Sequence, residues 1–226
     1  MTSKNSASES KIDLEEIYRN HHIRGKRYGY LYCQGARGPY LRNWIGVGKK
    51  VMDLGCRDGE LTKFYREGND VLGVDIDRHA LDLAQDKLGI ETQWLNLNEE
   101  FPDQKNAFDA VVACEVMEHI FYTQKLLDNV CRSLKPGGIF VGSVPNAFRF
   151  RNRLKFLVGE EFEKDPTHVH MFSHQKLHNI LSHAFTKIEI VPLEGKILPF
   201  LKVSQYTTPL LNRLFGRDLL WKAIKK

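Results

Sequence analysis

The chain has no apolar run of about 20 residues, so no transmembrane helix is expected of it. Its first ten residues, Met-Thr-Ser-Lys-Asn-Ser-Ala-Ser-Glu-Ser, lack the apolar segment of a signal peptide. Residues 1–10 read instead as a disordered polar tail. Cysteine is scarce. The four present (33, 56, 114 and 131) form no C-x-x-C pair, which argues against a disulfide framework and for reduced thiols in a cytoplasmic protein. No internal repeat is present. Charge imbalance is also small: 33 Lys and Arg against 28 Asp and Glu leave +5, which permits but does not demand an acidic partner. What remains, 226 residues of which 42% are hydrophobic, suits one domain with a full core.

A further absence is informative. The stretch Val51-Met-Asp-Leu-Gly-Cys-Arg-Asp-Gly-Glu-Leu61 reads as a buried strand, a tight glycine turn and the start of a helix. Gly55 and Gly59 let the backbone turn sharply and let a ligand approach without meeting a Cβ. A helix beginning there would turn its N–H groups and positive dipole end toward an electron-rich group. A dinucleotide site wants G-x-G-x-x-G, and Gly55-Cys-Arg-Asp-Gly59 lacks its second and third glycines. Present instead is Asp53, two residues before the first glycine, where a carboxylate can meet an ammonium group or hold loop amides. Val71-Leu-Gly-Val-Asp75 reads as a second strand ending in an acid suited to both hydroxyls of a ribose.

From residue 50 the pattern alternates. Strands are expected near 50–54, 70–74, 91–95, 108–114, 138–144 and 186–192, and helices near 59–67, 78–88, 123–134 and 173–183. Alternation of this kind builds a mostly parallel, doubly wound α/β sheet with helices on both faces. Ligands in such sheets bind beyond the carboxyl ends of the strands, and each motif falls at such an end.

Four segments together resemble the class I S-adenosylmethionine-dependent methyltransferases: Asp53-Leu-Gly-Cys-Arg-Asp-Gly59, Gly73-Val-Asp-Ile-Asp77, residues 108–120 (Phe-Asp-Ala-Val-Val-Ala-Cys-Glu-Val-Met-Glu-His-Ile) and Leu134-Lys-Pro-Gly-Gly138. The resemblance covers residues 48–145, with a weaker tail to 192. It implies a seven-stranded, Rossmann-like sheet with S-adenosyl-L-methionine as cofactor. Carried over onto matching positions, the cofactor residues are Asp53, Gly55, Cys56, Gly59, Asp75, Ile76, Asn96, Leu97 and Cys114. Asn96 falls where the family takes the adenine amino group and Leu97 where a backbone N–H takes a ring nitrogen; an Asx turn after a strand is the plainer alternative for Asn96. One departure is Arg57, which stands where the family usually has glycine. Its side chain must point away from the cofactor or contact its carboxylate. The expected organisation of residues 11–226 is one methyltransferase domain: a helical cap (11–48), a cofactor-binding core (49–145), and a substrate-side insert with a C-terminal helix (146–226).

In the cap, residues 12–24 put Ile12, Leu14, Ile17, Tyr18 and His21 near one helical face, while residues 25–42 interleave tyrosines and arginines with glycines. That segment reads either as a loop and short helix packed on the sheet edge or as a lid whose Arg37 or Arg42 meets the methionine carboxylate. At the end of the fourth strand, Glu115, Glu118 and His119 crowd where the transferred methyl should lie. His119 as a general base, a divalent metal held by carboxylates and imidazole, and a structural helix start are all compatible with the pattern. The same Glu-x-x-Glu-His pattern occurs in ubiquinone-pathway O-methyltransferases and small-RNA 2′-O-methyltransferases, where it can carry metal.

Beyond residue 145, Phe150, Leu154 and Leu157 form a helical stripe with Arg149, Arg151, Arg153 and Lys155 on the polar side. This segment reads as a solvated basic face or as recognition of an anionic group on the acceptor, with Arg149 the leading substrate residue. Ser173 reads as a helix N-cap. His168 and His170 share a side if extended, and are candidates for substrate contact or for completing a metal site. The tail from Lys196 sets seven cations against one acid, Asp218, with Leu210, Leu211, Leu214, Phe215, Leu219, Leu220 and Trp221 on an apolar side. It is expected to be an amphipathic helix that packs on the domain, with peripheral membrane contact or a dimer contact as the alternatives. The function expected is methyl transfer to an oxygen of a small-molecule, lipid-linked or sugar-linked acceptor. A metal-assisted RNA ribose methyltransferase is the first alternative, disfavoured as a nucleic-acid binder by the low charge and the lack of an RNA module. A non-catalytic cofactor-binding subunit is the second, supported only by Arg57.

Overall fold

A computed structural model describes residues 13–30, 33–102, 104–198, 201–203 and 207–226; the tail expected at 1–10 lies outside them, as does Ile12. Two helices come first, α1 (Leu14–Arg24) and α2 (Gln34–Ile45). The core then alternates β1 (Lys50–Leu54), β2 (Asp70–Asp75), α3 (Arg78–Leu88), β3 (Glu91–Trp94), β4 (Phe108–Cys114), α4 (Thr123–Ser133) and β5 (Leu134–Pro145). After it come α5 (Phe150–Leu157), α6 (His174–Ser182), β6 (Phe185–Leu193), the short pair β7 (Lys196–Leu198) and β8 (Leu201–Lys202), α7 (Pro209–Phe215) and β9 (Asp218–Lys225).

Seven strands form one sheet in the order β3-β2-β1-β4-β5-β9-β6. The first five are parallel neighbours, and β9 runs antiparallel between β5 and β6. Strand order reverses between β1 and β4, the place where such sheets open a crevice. Continuous apolar runs explain the centre: Val111, Val112 and Ala113 in β4 are fully buried, as a strand covered on both faces must be. Local caps fix the helices. Asp77 accepts from the Ala80 N–H at the start of α3, Gly89 closes that helix at φ 62°, and Ser173 accepts from the Lys176 N–H at the start of α6.

Two expectations fail. The helix expected over 59–67 is a single 3₁₀ turn, Thr62–Phe64. Thr62 and Tyr65 are drawn inward, both hydroxyls donating to Asp53 Oδ2 at 2.6 Å, and Asn69 bonds the Tyr65 carbonyl at 2.7 Å, so the chain turns under the strand instead of climbing. The dipole argument for a helix end there falls with it. The C-terminal amphipathic helix is also wrong. Only Pro209–Phe215 is helical, and residues 218–225 are β9. Leu219, Leu220, Trp221 and Ala223 are all fully buried, which one helical face cannot achieve for neighbouring residues but a strand inside a covered sheet can. Two of its lysines are held within the protein: Lys225 donates to the Leu134 carbonyl at 2.6 Å and Lys226 to the Ser182 carbonyl at 2.9 Å. No helix among the described residues is long and apolar enough to cross a membrane.

Candidate active site

A cavity of about 480 Å³ opens over the carboxyl ends of β1, β2, β4 and β5, with α1 across it. Such a volume is of the size that holds a cofactor-sized ligand. Of the expected cofactor residues, Asp53, Gly55, Cys56, Asp75, Ile76, Asn96, Leu97 and Cys114 line it; Gly59 does not. Gly59 instead holds φ 77° where a Cβ would lie 2.5 Å from Leu88 of α3. Gly55, at φ 66°, meets Val116 in the same way at 2.6 Å. Both glycines thus serve turn conformation and close packing.

Asp75 ends β2 buried, its carboxylate braced by the Arg57 N–H at 2.8 Å and the Asp77 N–H at 2.9 Å. Burial raises its pKa, and these amides oppose the rise. Asp53 is buried too; desolvation pushes its carboxyl up to about 6 although Thr62 and Tyr65 donate to it. Asn96 forms the Asx turn, its Oδ1 accepting the Asn98 N–H at 3.1 Å, and still lines the cavity. Arg57 holds a left-handed φ of 50° and turns its guanidinium to the cap, donating to the Tyr30 carbonyl at 2.8 Å and to Asp58 at 3.0 Å.

The cap is strapped down by pairings the sequence did not show. His22 and Tyr28 both meet Asp77 Oδ2, at 2.8 and 2.6 Å, over the cofactor half of the cavity. His21 and Arg27 meet Asp165 at 3.2 and 2.8 Å over the other half. In α2, Arg37 is buried and bridges Glu115 (3.1 Å) and Asp218 (2.8 Å), whereas Arg42 is exposed and away from the cavity. Arg37 Nε and Nη1 are buried with no partner among the described residues. Asp218, read from sequence as the odd acid of a basic tail, starts β9 and lines the cavity. The only advance sign of the cap's role was its density of histidine, tyrosine and arginine.

At the reactive end Glu115 holds a left-handed φ of 56° and turns to Arg37 and Ser143, the latter at 2.9 Å. It is therefore engaged. Glu118, His119 and His168 instead converge, with one ligand atom from each lying within 4.8 Å of the others. Glu118 is almost fully buried, and neither carboxylate oxygen has a partner among the described residues. Burial, and then the nearby Glu115, raise its pKa well above the ordinary range. His119 Nδ1 lies 3.1 Å from the Thr167 carbonyl. A carbonyl only accepts, so Nδ1 carries the proton and Nε2 presents a lone pair. Burial, and then His168, push the His119 pKa down to about 4, so the imidazole is neutral near pH 7. His168 Nδ1 is held by Glu163 at 3.0 Å. A carboxylate with two imidazoles is a chemically sound donor set for a divalent cation. Arg149 and Asn152 line the far wall, while His170 does not reach the cavity: its Nε2 lies 3.3 Å from the Phe121 carbonyl and its ring packs on Phe172.

Residues 26–185 match a family model described as a methyltransferase domain. The chain belongs to this family, the class I S-adenosylmethionine-dependent methyltransferases. The methyltransferase is 31% identical over 170 residues to the ubiquinone biosynthesis O-methyltransferase of Coxiella burnetii, covering 69% of this chain and 71% of that one. The human mitochondrial ubiquinone biosynthesis O-methyltransferase is 36% identical over 109 residues, 43% of this chain and 29% of the relative. In fold it is similar to a Thermotoga maritima methyltransferase described as a possible histamine N-methyltransferase (TM-score 0.69, 14% identity, 95% and 99% of the two chains). It is also similar to the N-methyltransferase NodS of Bradyrhizobium japonicum in complex with S-adenosyl-L-homocysteine (TM-score 0.61, 17% identity, 88% and 90%). The methyltransferase is therefore an enzyme that takes S-adenosyl-L-methionine as its cofactor, and its cavity fits that group. Buried orphan N–H groups on Arg37 suit a carboxylate, and the braced Asp75 suits a diol.

Proposed function

We propose that the enzyme methylates a hydroxyl oxygen of a small-molecule acceptor, with a phenol or catechol as the leading chemistry. The observation that carries this is the Glu118–His119–His168 group beside the cofactor half of the cavity. An amine acceptor needs its lone pair exposed, but a hydroxyl gains from a group that draws off its proton or stabilises the oxyanion. The names of the Coxiella and human relatives support the same class of acceptor.

In this reading the cofactor supplies an electrophilic methyl group, held by Asp75 at the ribose, Asn96 and Leu97 at the base, and Arg37 and Asp53 at the amino-acid end. The protein's own work is alignment. The straps from α1 to Asp77 and Asp165 exclude water and hold the cavity's two halves together. His119 Nε2 accepts the acceptor's hydroxyl hydrogen bond. At a pKa of about 4 it is a weak base, so orienting the hydroxyl outweighs full proton removal. A divalent cation bound by Glu118, His119 and His168 is the specific variant favoured by Glu118's unpartnered carboxylate; such an ion would lower the hydroxyl's pKa. Arg149 and Asn152 face the acceptor's remaining polar groups. A cytoplasmic location belongs to this reading, supported by the four free cysteines.

The test is a panel assay with methyl-labelled cofactor. Catechols and hydroxybenzoates, histamine-like amines and a short RNA are offered in parallel, with and without chelator. Transfer to the catechol oxygen is expected; transfer confined to amines or RNA overturns the proposal. Activity that survives both chelation and His119→Ala removes the cation and the His119 role together.

A further inference from the structure

The helix α5 stands out because its apolar side is left largely exposed among the described residues, only its first ring, Phe150, packing on Phe215 of α7 with centroids 5.3 Å apart. None of its eight residues is buried, although half of them are large and apolar. Exposure reaches 71% for Phe156, 77% for Leu157 and 72% for Val158, which follows directly. At helical spacing, Phe150, Leu154, Leu157 and Val158 fall at i, i+4, i+7 and i+8 and share one stripe. Arg153 borders that stripe on one side and Arg151 on the other, with Lys155 beyond it. Lys155 lies 3.9 Å from Glu160, at the edge of ion-pair range, and among the described residues no acid comes within ion-pair distance of Arg151 or Arg153. Scattered exposed apolar residues need no explanation, but an ordered stripe flanked on both sides by one sign of charge does.

We propose that α5 seats the enzyme on an anionic lipid bilayer, laying the Phe150–Leu154–Leu157 stripe into the headgroup boundary with Arg151 and Arg153 on the lipid phosphates. The flanking charge argues for lipid over the other occupants. In a symmetric contact between two copies the same patch faces itself, which would bring arginine against arginine. A bilayer offers an apolar layer bounded by anions, the complement of an apolar stripe bounded by cations. The helix also forms part of the cavity rim: Asn152, on the opposite side of α5 from the stripe, and Arg149 just before it line the cavity wall. A docked enzyme would thus take an acceptor with an apolar tail straight from the membrane. This docking stands independently of which atom is methylated. It relocates the membrane contact considered for the C-terminal segment, where Leu219, Leu220 and Trp221 are spent inside the sheet.

The experiment is sedimentation of the full chain with phosphatidylcholine vesicles, with and without phosphatidylglycerol, at low and high salt. Wild type should pellet with the anionic vesicles only and be released by salt. Leu157→Glu with Val158→Glu, and separately Arg151→Glu with Arg153→Glu, should each weaken that binding by about tenfold or more. All four side chains are exposed, so S-adenosylhomocysteine affinity measured by calorimetry should be unchanged in both variants. Loss of that affinity in wild type would strike the cofactor reading and leave vesicle binding separately readable. Failure of wild type to pellet, equal pelleting with both vesicle types, or variants that pellet like wild type would each overturn the docking. A dimer in light scattering that the Leu157→Glu/Val158→Glu variant dissolves would assign the stripe to a second copy and overturn it as well.

Discussion

The strap at Asp77 makes the sharpest stability prediction. This buried carboxylate caps α3 through the Ala80 N–H and also accepts from His22 and Tyr28 of the cap. Burial alone would raise its pKa, but the His22 and Tyr28 bonds, with the Ala80 N–H, overcome that and bring it from 3.8 to about 2. At about 1.4 kcal/mol per tenfold change in proton affinity, that gap is worth roughly 2 kcal/mol. The sign follows from the depression: the contribution is present above pH 3.8 and is lost as pH falls through about 2. Asp77→Ser keeps an N-cap and loses only the strap's share of that gap, so it should cost about 1–2 kcal/mol at pH 7, or about 2–8 °C in Tm for a chain of this size. Asp77→Ala loses the cap as well, adding about 1 kcal/mol. Because α1 roofs the cavity, loosening it should weaken S-adenosylhomocysteine binding, by about tenfold for each 1.4 kcal/mol of strap energy that closure uses. Thermal unfolding and calorimetry of the two variants check this, with trypsin cleavage near Arg24 and Arg27 as a local readout. If Asp77→Ser melts and binds like wild type while Asp77→Ala does not, the strap does nothing and only the cap counts.

Three other outcomes are expected. Trp221→Ala should destabilise by about 3–5 kcal/mol, because it empties a fully buried site in the sheet's interior; a shift below 1 °C in a melting curve would place residues 218–225 outside the core. In chelator, Glu118→Gln should match wild type at pH 4 and exceed it at pH 9 by about 1–3 kcal/mol in denaturant titrations, since a raised pKa means stability lost as pH climbs; a less stable variant at pH 9 would refute an unpartnered Glu118. With His119 held to about 4, the acid limb of kcat/KM should not carry a His119 ionisation near pH 6.5; an acid limb at that pH that disappears in His119→Gln would contradict the buried, neutral imidazole.

The core was legible because its signals are local. A two-sided apolar run such as residues 108–114, or a cap such as Ser173 before α6, is written in a few adjacent letters. So were the strand-end acids Asp53 and Asp75, which the fold brings to one cavity. The misses are long-range. Nothing adjacent to Asp218 says that Arg37, 181 residues earlier, will be its partner. Nothing near Asp165 foretells His21 and Arg27. Period-based reading also has a known blind spot, and β9 fell into it: Leu-Leu-Trp with cations at both ends looks like a helical face until it is paired between two strands in a sheet covered on both faces. At Glu115 the backbone itself decided, since its left-handed turn sends the side chain to Arg37 and leaves Glu118, His119 and His168 to converge.

The place of β9 also sets an order of assembly. On emerging from the ribosome, β6 has no neighbour to pair with, because β9 lies between it and β5 and begins 25 residues after β6 ends, at Asp218 against Leu193. Until β9 arrives, the nascent sheet carries an open edge at β5 and a loose strand beside it, the kind of surface that recruits chaperones or strays into aggregation. Asp218 then docks on Arg37 as the strand zips in, so the wall of the active site is closed by the step that completes the sheet. A chain without β9 has neither a finished sheet nor the Asp218 side of its cavity.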